Sequence, residues 1–339
     1  MEHHDVEHER GAFVRLEPAG FFIRHPPSPD ELDAFITPDA SLFQTIHMGP
    51  TVVDVEKWKL VISGLVEEPY ALTLSELRQL PAKTITSFHE CYGSPLLPPT
   101  KALWRVGNVR WTGVPLRDIL ARAKPHSQAK FVWSDGLDRG AFAGVAADRY
   151  RKDLPMKKAL SPEVLVAYKM NDQPLTMHRG GPVRLIVPGY FGTNSTKWLC
   201  RLSVEESRAS GPFTTIFYNE QIPGRASGVT RPVWQAQPNS MITRPAAESV
   251  LDTTTIQVEG WCWSEDGIGG VRVSADGCRV WTDAPVQQRV DYGWQRFSCY
   301  LELSPGPCEL AAQATSLSGD VQPLAQARNH VHRVPVTVM

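Results

Sequence analysis

The residues best equipped for chemistry are one cysteine and a group of basic side chains near a glycine-rich loop. Cys91 follows His89-Glu90 and opens a loop rich in Gly and Pro, running through Gly93, Pro95, Pro98 and Pro99. Function concentrates on loops held by rigid elements, and a soft sulfur donor suits a redox-active metal. The second stretch is Pro188-Gly189-Tyr190-Phe191-Gly192-Thr193-Asn194-Ser195-Thr196-Lys197, which follows the apolar run 183–187. Arg184 interrupts that run. An arginine inside an apolar strand is costly unless something anionic meets it, and arginine offers a planar fork to a phosphate where lysine offers a point charge. Taken alone, Cys91 reads more readily as a half-buried structural cysteine, and the plain alternative for Arg184 is half of a surface ion pair. These two stretches by themselves single out no one chemistry.

The elements that must position them follow from local pattern. Leu60-Val61-Ile62-Ser63-Gly64 reads as a strand, and Thr73 with Glu76 has capping-box spacing ahead of a short helix that turns Leu77 and Leu80 inward and stops at Pro81. The β-branched and aromatic run 84–88 is a strand that delivers Cys91 to its loop. Pro115 suits the first turn of a helix in which Leu116, Ile119 and Leu120 share a face, and Phe131-Val132-Trp133 begins the next strand. The run 183–187 is a buried strand, and a further strand starts at Trp198. From about Val233 onward only β-like runs remain: 254–262, 271–274, 294–303, 308–315 and 334–338, broken by turns such as Ala275-Asp276-Gly277. Regular short strands over roughly a hundred residues suggest an immunoglobulin-like sandwich. The expected fold class is α+β, with a mixed α/β domain over 1–231 and a β-sandwich over 232–339.

Composition bounds the function. With 339 residues, two domains are the natural expectation. Hydrophobic residues at 42% and charged residues at 21% fit a compact globular protein rather than a disordered one. A formal net charge of -1 argues against nonspecific binding to nucleic acid or acidic membranes, so any anion site must be a focused cluster. There is no apolar run long enough to span a membrane, and the start Met1-Glu2-His3-His4-Asp5 is unlike an export signal. The six cysteines lack CxxC pairs, which favours reduced thiols over a zinc site or disulfide framework. A cytoplasmic location is the expectation, with a periplasmic one if an export signal precedes this sequence.

Several stretches in order resemble the sulfite oxidase family. Trp58-Lys59-Leu60-Val61-Ile62-Ser63-Gly64, Glu90-Cys91-Tyr92-Gly93 and Trp111-Thr112-Gly113-Val114-Pro115-Leu116 look like consecutive landmarks of its molybdopterin-binding domain. Gly180-Gly181-Pro182-Val183-Arg184-Leu185-Ile186-Val187-Pro188-Gly189-Tyr190 with Thr196-Lys197-Trp198 resembles its most specific segment, and Leu165-Val166-Ala167-Tyr168 before it fits as well. Gly260-Trp261-Cys262-Trp263-Ser264 and the run 271–277 resemble its immunoglobulin-like dimerisation domain. The resemblance covers nearly the whole chain from Phe22 onward.

That resemblance implies a molybdenum cofactor held by pterin sulfurs and by Cys91 as the protein's one sulfur ligand. It implies a pterin phosphate tail gripped by His178, Arg184, Ser195 and Lys197. Phe22-Ile23-Arg24-His25 resembles a segment that places Arg24 toward an anionic substrate and His25 on the cofactor, although the spacing is shorter by a residue. Arg105 and Tyr218 fall where family members have pocket residues. Cys200, Cys262, Cys278, Cys299 and Cys308 are expected to be packing residues. The implied reaction is two-electron oxo transfer to or from a small substrate, with no haem in this chain, a separate electron carrier and a homodimer.

The sequence also departs from the family. After the cysteine, sulfite oxidases usually carry a Gly-Asn-Arg type run, where this chain has Gly93-Ser94-Pro95-Leu96-Leu97. The change removes a pocket cation and adds apolar surface. Two alternatives therefore stand beside a sulfite-type enzyme: a molybdoenzyme of the same fold acting on another substrate, as an oxidase or a reductase, or a dimeric binding protein that has lost the metal.

Overall fold

The computed structural model describes residues 13–16, 21–95, 103–222 and 224–339, with side chains from residue 24 onward. Leu96, Leu97, Pro98 and Pro99 lie outside the described residues. The chain divides into two compact units. The first comprises residues 1–25, 44–85 and 110–234, the second residues 26–43, 86–109 and 235–339. A single cut at 231/232 would leave 26–43 and 86–109 with the N-terminal part. By contact, both stretches cluster with the C-terminal strands instead.

The first unit contains a mixed five-stranded sheet in the order Arg151–Pro155, Phe131–Gly136, Leu199–Glu205, Lys59–Gly64, Tyr70–Thr73. Only the Leu199–Glu205 and Lys59–Gly64 pair is parallel. Alternation in Lys59–Gly64 turns Leu60 and Ile62 inward, where both are fully buried. Helix Leu74–Gln79 opens with the expected box, since Thr73 Oγ1 accepts from Glu76 N while Glu76 reaches back to Thr73 N. Helix Leu116–Ala123 buries Leu116, Ile119 and Leu120 on one face. These side chains share a core with Leu77, Val132, Val166, Val183, Leu185 and Leu202. Helices are few and short among the described residues, so the unit is richer in strand than its sequence pattern suggests. No described helix is long and apolar enough to cross a membrane.

Strand Leu165–Met170 pairs antiparallel with both Val106–Pro115 and Arg184–Ile186. Arg184–Ile186 is shorter than the apolar run around it and fully buried. Beyond it the Gly-rich loop doubles back, because Leu185 N–H donates to Thr196 O at 2.9 Å and Leu199 N–H to Val183 O at 2.9 Å. A smaller antiparallel sheet joins Phe21–Arg24 to Gln44–Ile46.

The second unit contains two sheets. One orders Asn239–Arg244, Thr255–Trp263 and Gln295–Glu302; the other orders Val250–Leu251, Arg333–Val338, Gly306–Ser316, Ile268–Ser274 and Thr282–Ala284. Inward residues from both, including Ile242, Val258, Phe297, Val273, Leu310, Ala314 and Val336, form one core. Strand Asn239–Arg244, with the short strands Val250–Leu251 and Thr282–Ala284, is what the sequence pattern missed. All six cysteines are free thiols, and Cys262 and Cys299 pack in this core.

Candidate functional site

The Cys91 loop belongs to the second unit. Strand Lys83–Glu90 ends immediately before it, and the sulfur-bearing residue is half-buried rather than sealed in an apolar interior. Its backbone is tied on both sides: Cys91 N–H donates to Arg105 O at 2.9 Å, and Ser94 N–H donates to Cys91 O at 2.9 Å. Arg105 N–H in turn donates to Ser94 Oγ at 3.0 Å. The Arg105 guanidinium donates through Nη2 to Gly93 O. A Cβ at residue 93 would lie 2.6 Å from that nitrogen, so only glycine lets the arginine approach. Arg105, expected as a pocket residue, is thus a neighbour of the Cys91 loop, and its buried Nε has no partner.

Glu90 is the side chain here that sequence reasoning missed. Its carboxylate is fully buried and accepts from Trp263 Nε1 at 2.9 Å, Arg328 Nη1 at 3.0 Å and Asn239 Nδ2 at 3.4 Å. Strand alternation carried a signal, because position 90 shares a face with the buried Phe88. Arg328, distant in sequence, had none.

In the first unit a separate group of basic side chains surrounds the Gly-rich loop. Arg184 is 3% exposed. It donates to Arg179 O at 3.1 Å and Ser195 O at 3.2 Å and lies over the Trp111 ring. Its Nε has no partner, and among the described residues it meets no carboxylate. Burial, with Arg179 adding like charge, lowers its pKa to about 9. Ser195 is buried and its Oγ accepts from Val187 N–H at 3.2 Å. His178 is buried, and its carbonyl accepts from Gln44 Nε2 at 2.7 Å. Lys197 donates to Thr45 O. Gly180, at φ +87°, lets the Lys197 stem pass, since a Cβ there would be 2.5 Å from Lys197 Cβ. The structure therefore brings His178, Arg184, Ser195 and Lys197 onto one doubled-back segment.

Asp138 joins them unannounced by the sequence reading. It is buried, its Oδ1 has no partner, and desolvation pushes its pKa up to about 7 against the opposing pull of Lys197. Two further findings concern the expected pocket. Arg24 lies opposite Gln44, the donor to the His178 carbonyl, in the sheet register. His25 is exposed. It is His47, beyond the paired strand, whose Nε2 shares a hydrogen bond with the Tyr218 hydroxyl. The His47 ring packs against Phe142, Tyr150 and Phe213. Tyr218 holds a left-handed φ of +57°, a sparsely populated conformation for a non-glycine residue that is found enriched at functional sites. Lys152, almost completely buried, donates to Phe213 O at 3.0 Å beneath the Tyr218 ring, and burial lowers its pKa to about 8.

No group of three or more His, Cys, Asp or Glu side chains among the described residues could hold a metal ion. A metal bound through Cys91 would take its remaining ligands from a cofactor.

Comparison with known proteins gives concordant relatives. A family model described as oxidoreductase molybdopterin binding domain matches residues 47–213. Mitochondrial sulfite oxidase of Mus musculus is 28% identical over 363 residues, covering 96% of this chain and 66% of that protein. NADH nitrate reductase of Volvox carteri is 29% identical over 284 residues, covering 75% of this chain and 33% of that protein. The chain thus spans less than two thirds of the length of such curated relatives. Among solved structures, the sulfane dehydrogenase SoxCD from Paracoccus pantotrophus superposes with a TM-score of 0.84 at 26% identity, covering 99% of this chain and 90% of that one.

Proposed function

Because the chain belongs to the sulfite oxidase family of molybdopterin-dependent oxidoreductases, we propose that it is a molybdenum-cofactor enzyme catalysing two-electron oxo transfer, with a small sulfur compound such as sulfite as substrate. Cys91 is the protein's sulfur ligand to the metal. The observation that carries the reading is Arg184: a buried guanidinium with neutral partners and an unmet Nε bears a desolvation cost that a bound anion would offset. A pterin phosphate fits that requirement. Lys197, His178 and the backbone around Ser195 complete the grip, while the orphaned oxygens of Asp138 and Asn194 suit pterin N–H donors.

When bound, the cofactor supplies the oxo and electron chemistry. The chain's own residues orient and shape. The paired arginine and serine of the Cys91 loop hold its backbone in one conformation. Tyr218 presents a hydroxyl whose proton His47 Nε2 can hold or release. Lys152 places a positive charge beneath that ring, which favours anionic substrates. Electrons leave to a separate carrier, and the C-terminal strands, read as an immunoglobulin-like domain, form a homodimer contact. A cytoplasmic setting completes the proposal.

A second reading keeps the cofactor and changes the substrate. Gly93-Ser94-Pro95 stands where sulfite oxidases carry an arginine-bearing run, and relatives of this chain include a nitrate reductase and a sulfane dehydrogenase. Metal and pterin analysis of the native protein tests the core proposal, with molybdenum and pterin expected in equal amounts. Cys91→Ser should abolish turnover and leave the melting curve in place; full turnover in that variant ends the ligand assignment. Sulfite, thiosulfate, sulfoxides and N-oxides offered with an artificial electron carrier separate the two substrate readings.

A further inference from the structure

We propose that Glu90 and Arg328 are positioning residues that clamp the loop bearing the Cys91 sulfur, so that a segment near the C-terminus sets the geometry of the metal ligand. The inference rests on the reading of Cys91 as that ligand.

One nitrogen of Arg328 does two jobs. Nη1 donates to Glu90 Oε1 at 3.0 Å and to Ser94 O at 2.7 Å, so it bridges the residue before Cys91 to the residue three after it. The same guanidinium lies over the Tyr92 ring, 5.6 Å from its centroid. Positions 90, 92 and 94 are therefore each in contact with one side chain, and Cys91 is bracketed between them. The backbone of Cys91 is already committed to Arg105 O and Ser94 N–H.

The clamp is anchored rather than floating. A carboxylate with no exposed surface survives only where charge and hydrogen bonds compensate desolvation. Glu90 has both: Arg328 neutralises it, and Trp263 Nε1 and Asn239 Nδ2 complete its acceptors. Asn239 is tied in turn to Gln322, whose Nε2 donates to Asn239 Oδ1 at 3.0 Å, and Gln322 Oε1 accepts from Ser240 Oγ at 2.7 Å and Ala314 N–H at 3.1 Å. The network runs from the strands Asn239–Arg244 and Gly306–Ser316 to the residue directly before the sulfur. A stabilising ion pair could sit at many places in a sandwich. This one holds points on either side of Cys91 and adds a cation beside it.

The test uses the holoenzyme with Arg328→Gln, Glu90→Gln and the charge-conserving Arg328→Lys. In hydrogen exchange, the amides of Cys91 and Ser94 should lose protection by about tenfold or more in Arg328→Gln and Glu90→Gln, while those of strands Thr255–Trp263 and Gly306–Ser316 stay within about twofold. The reduction potential of the bound metal should fall in Arg328→Gln, from which a cation is removed, and return toward the parent value in Arg328→Lys. Should Glu90→Gln fail to fold, the two Arg328 variants carry the test. Parent-like exchange at Cys91 and Ser94 in Arg328→Gln, or a potential that does not move, overturns the clamp. Retention of metal and an unchanged potential in Cys91→Ser would instead refute the ligand reading, leaving the exchange result to stand by itself.

Discussion

Replacing Arg184 by Met should have opposite meanings with and without cofactor. The depression of the Arg184 pKa to about 9 corresponds to about 5 kcal/mol acting against its charged form in the cofactor-free protein. Methionine fills a similar volume and removes that cost. It also orphans the carbonyls of Arg179 and Ser195, each at about 1–3 kcal/mol. The two effects nearly cancel, so the melting midpoint of the cofactor-free protein should move by less than about 4 °C. In the loaded protein the loss is one-sided, since a charged hydrogen bond to phosphate is worth about 1.5–3 kcal/mol, or roughly ten- to hundredfold in retention of the cofactor. Calorimetry of both forms and pterin content per chain measure this. A large loss of stability in cofactor-free Arg184→Met, with cofactor content unchanged, would show that the guanidinium holds the fold and would refute the anion argument.

Asp138→Asn should remove a pH dependence. With its pKa raised to about 7 by burial, the folded state holds the extra proton between the ordinary carboxylate range and that value, so cofactor-free parent protein loses stability as pH rises across it, and the variant should gain about 3–4 kcal/mol at pH 8 in urea unfolding. Gly180→Ala should cost about 2–4 kcal/mol in the same assay and lower cofactor content, because the left-handed backbone and the Lys197 stem leave no room for a methyl group.

Much of this was legible in the sequence where the signal is local. The capping box of Thr73 and Glu76, the helix face of Leu116, Ile119 and Leu120, and the buried strand carrying Arg184 each depend on spacing within a few residues, and each formed as expected. Tertiary placement was harder. His47 and His25 both follow a short strand and look alike in sequence; only the pairing of Phe21–Arg24 with Gln44–Ile46 leaves one exposed and puts the other against Tyr218. Asp138 looks like an ordinary loop acid until burial removes its water. Glu90 and Arg328 are 238 residues apart, and no periodicity spans such a distance. Strand Asn239–Arg244 escaped notice because Asn239, Ser240 and Thr243 give it a polar composition, although all three are buried.

The interleaving of the two units bears on how such a protein can change over time. Residues 86–109 keep company with the last hundred or so positions of the chain, whereas the segment carrying His178, Arg184, Ser195 and Lys197 lies wholly within 110–234. A recombination that swapped only the tail would hand Glu90 foreign neighbours in place of Asn239, Trp263 and Arg328. Viable hybrids should therefore inherit the Cys91 loop and the tail from one parent, while the segment around Arg184 is free to come from another.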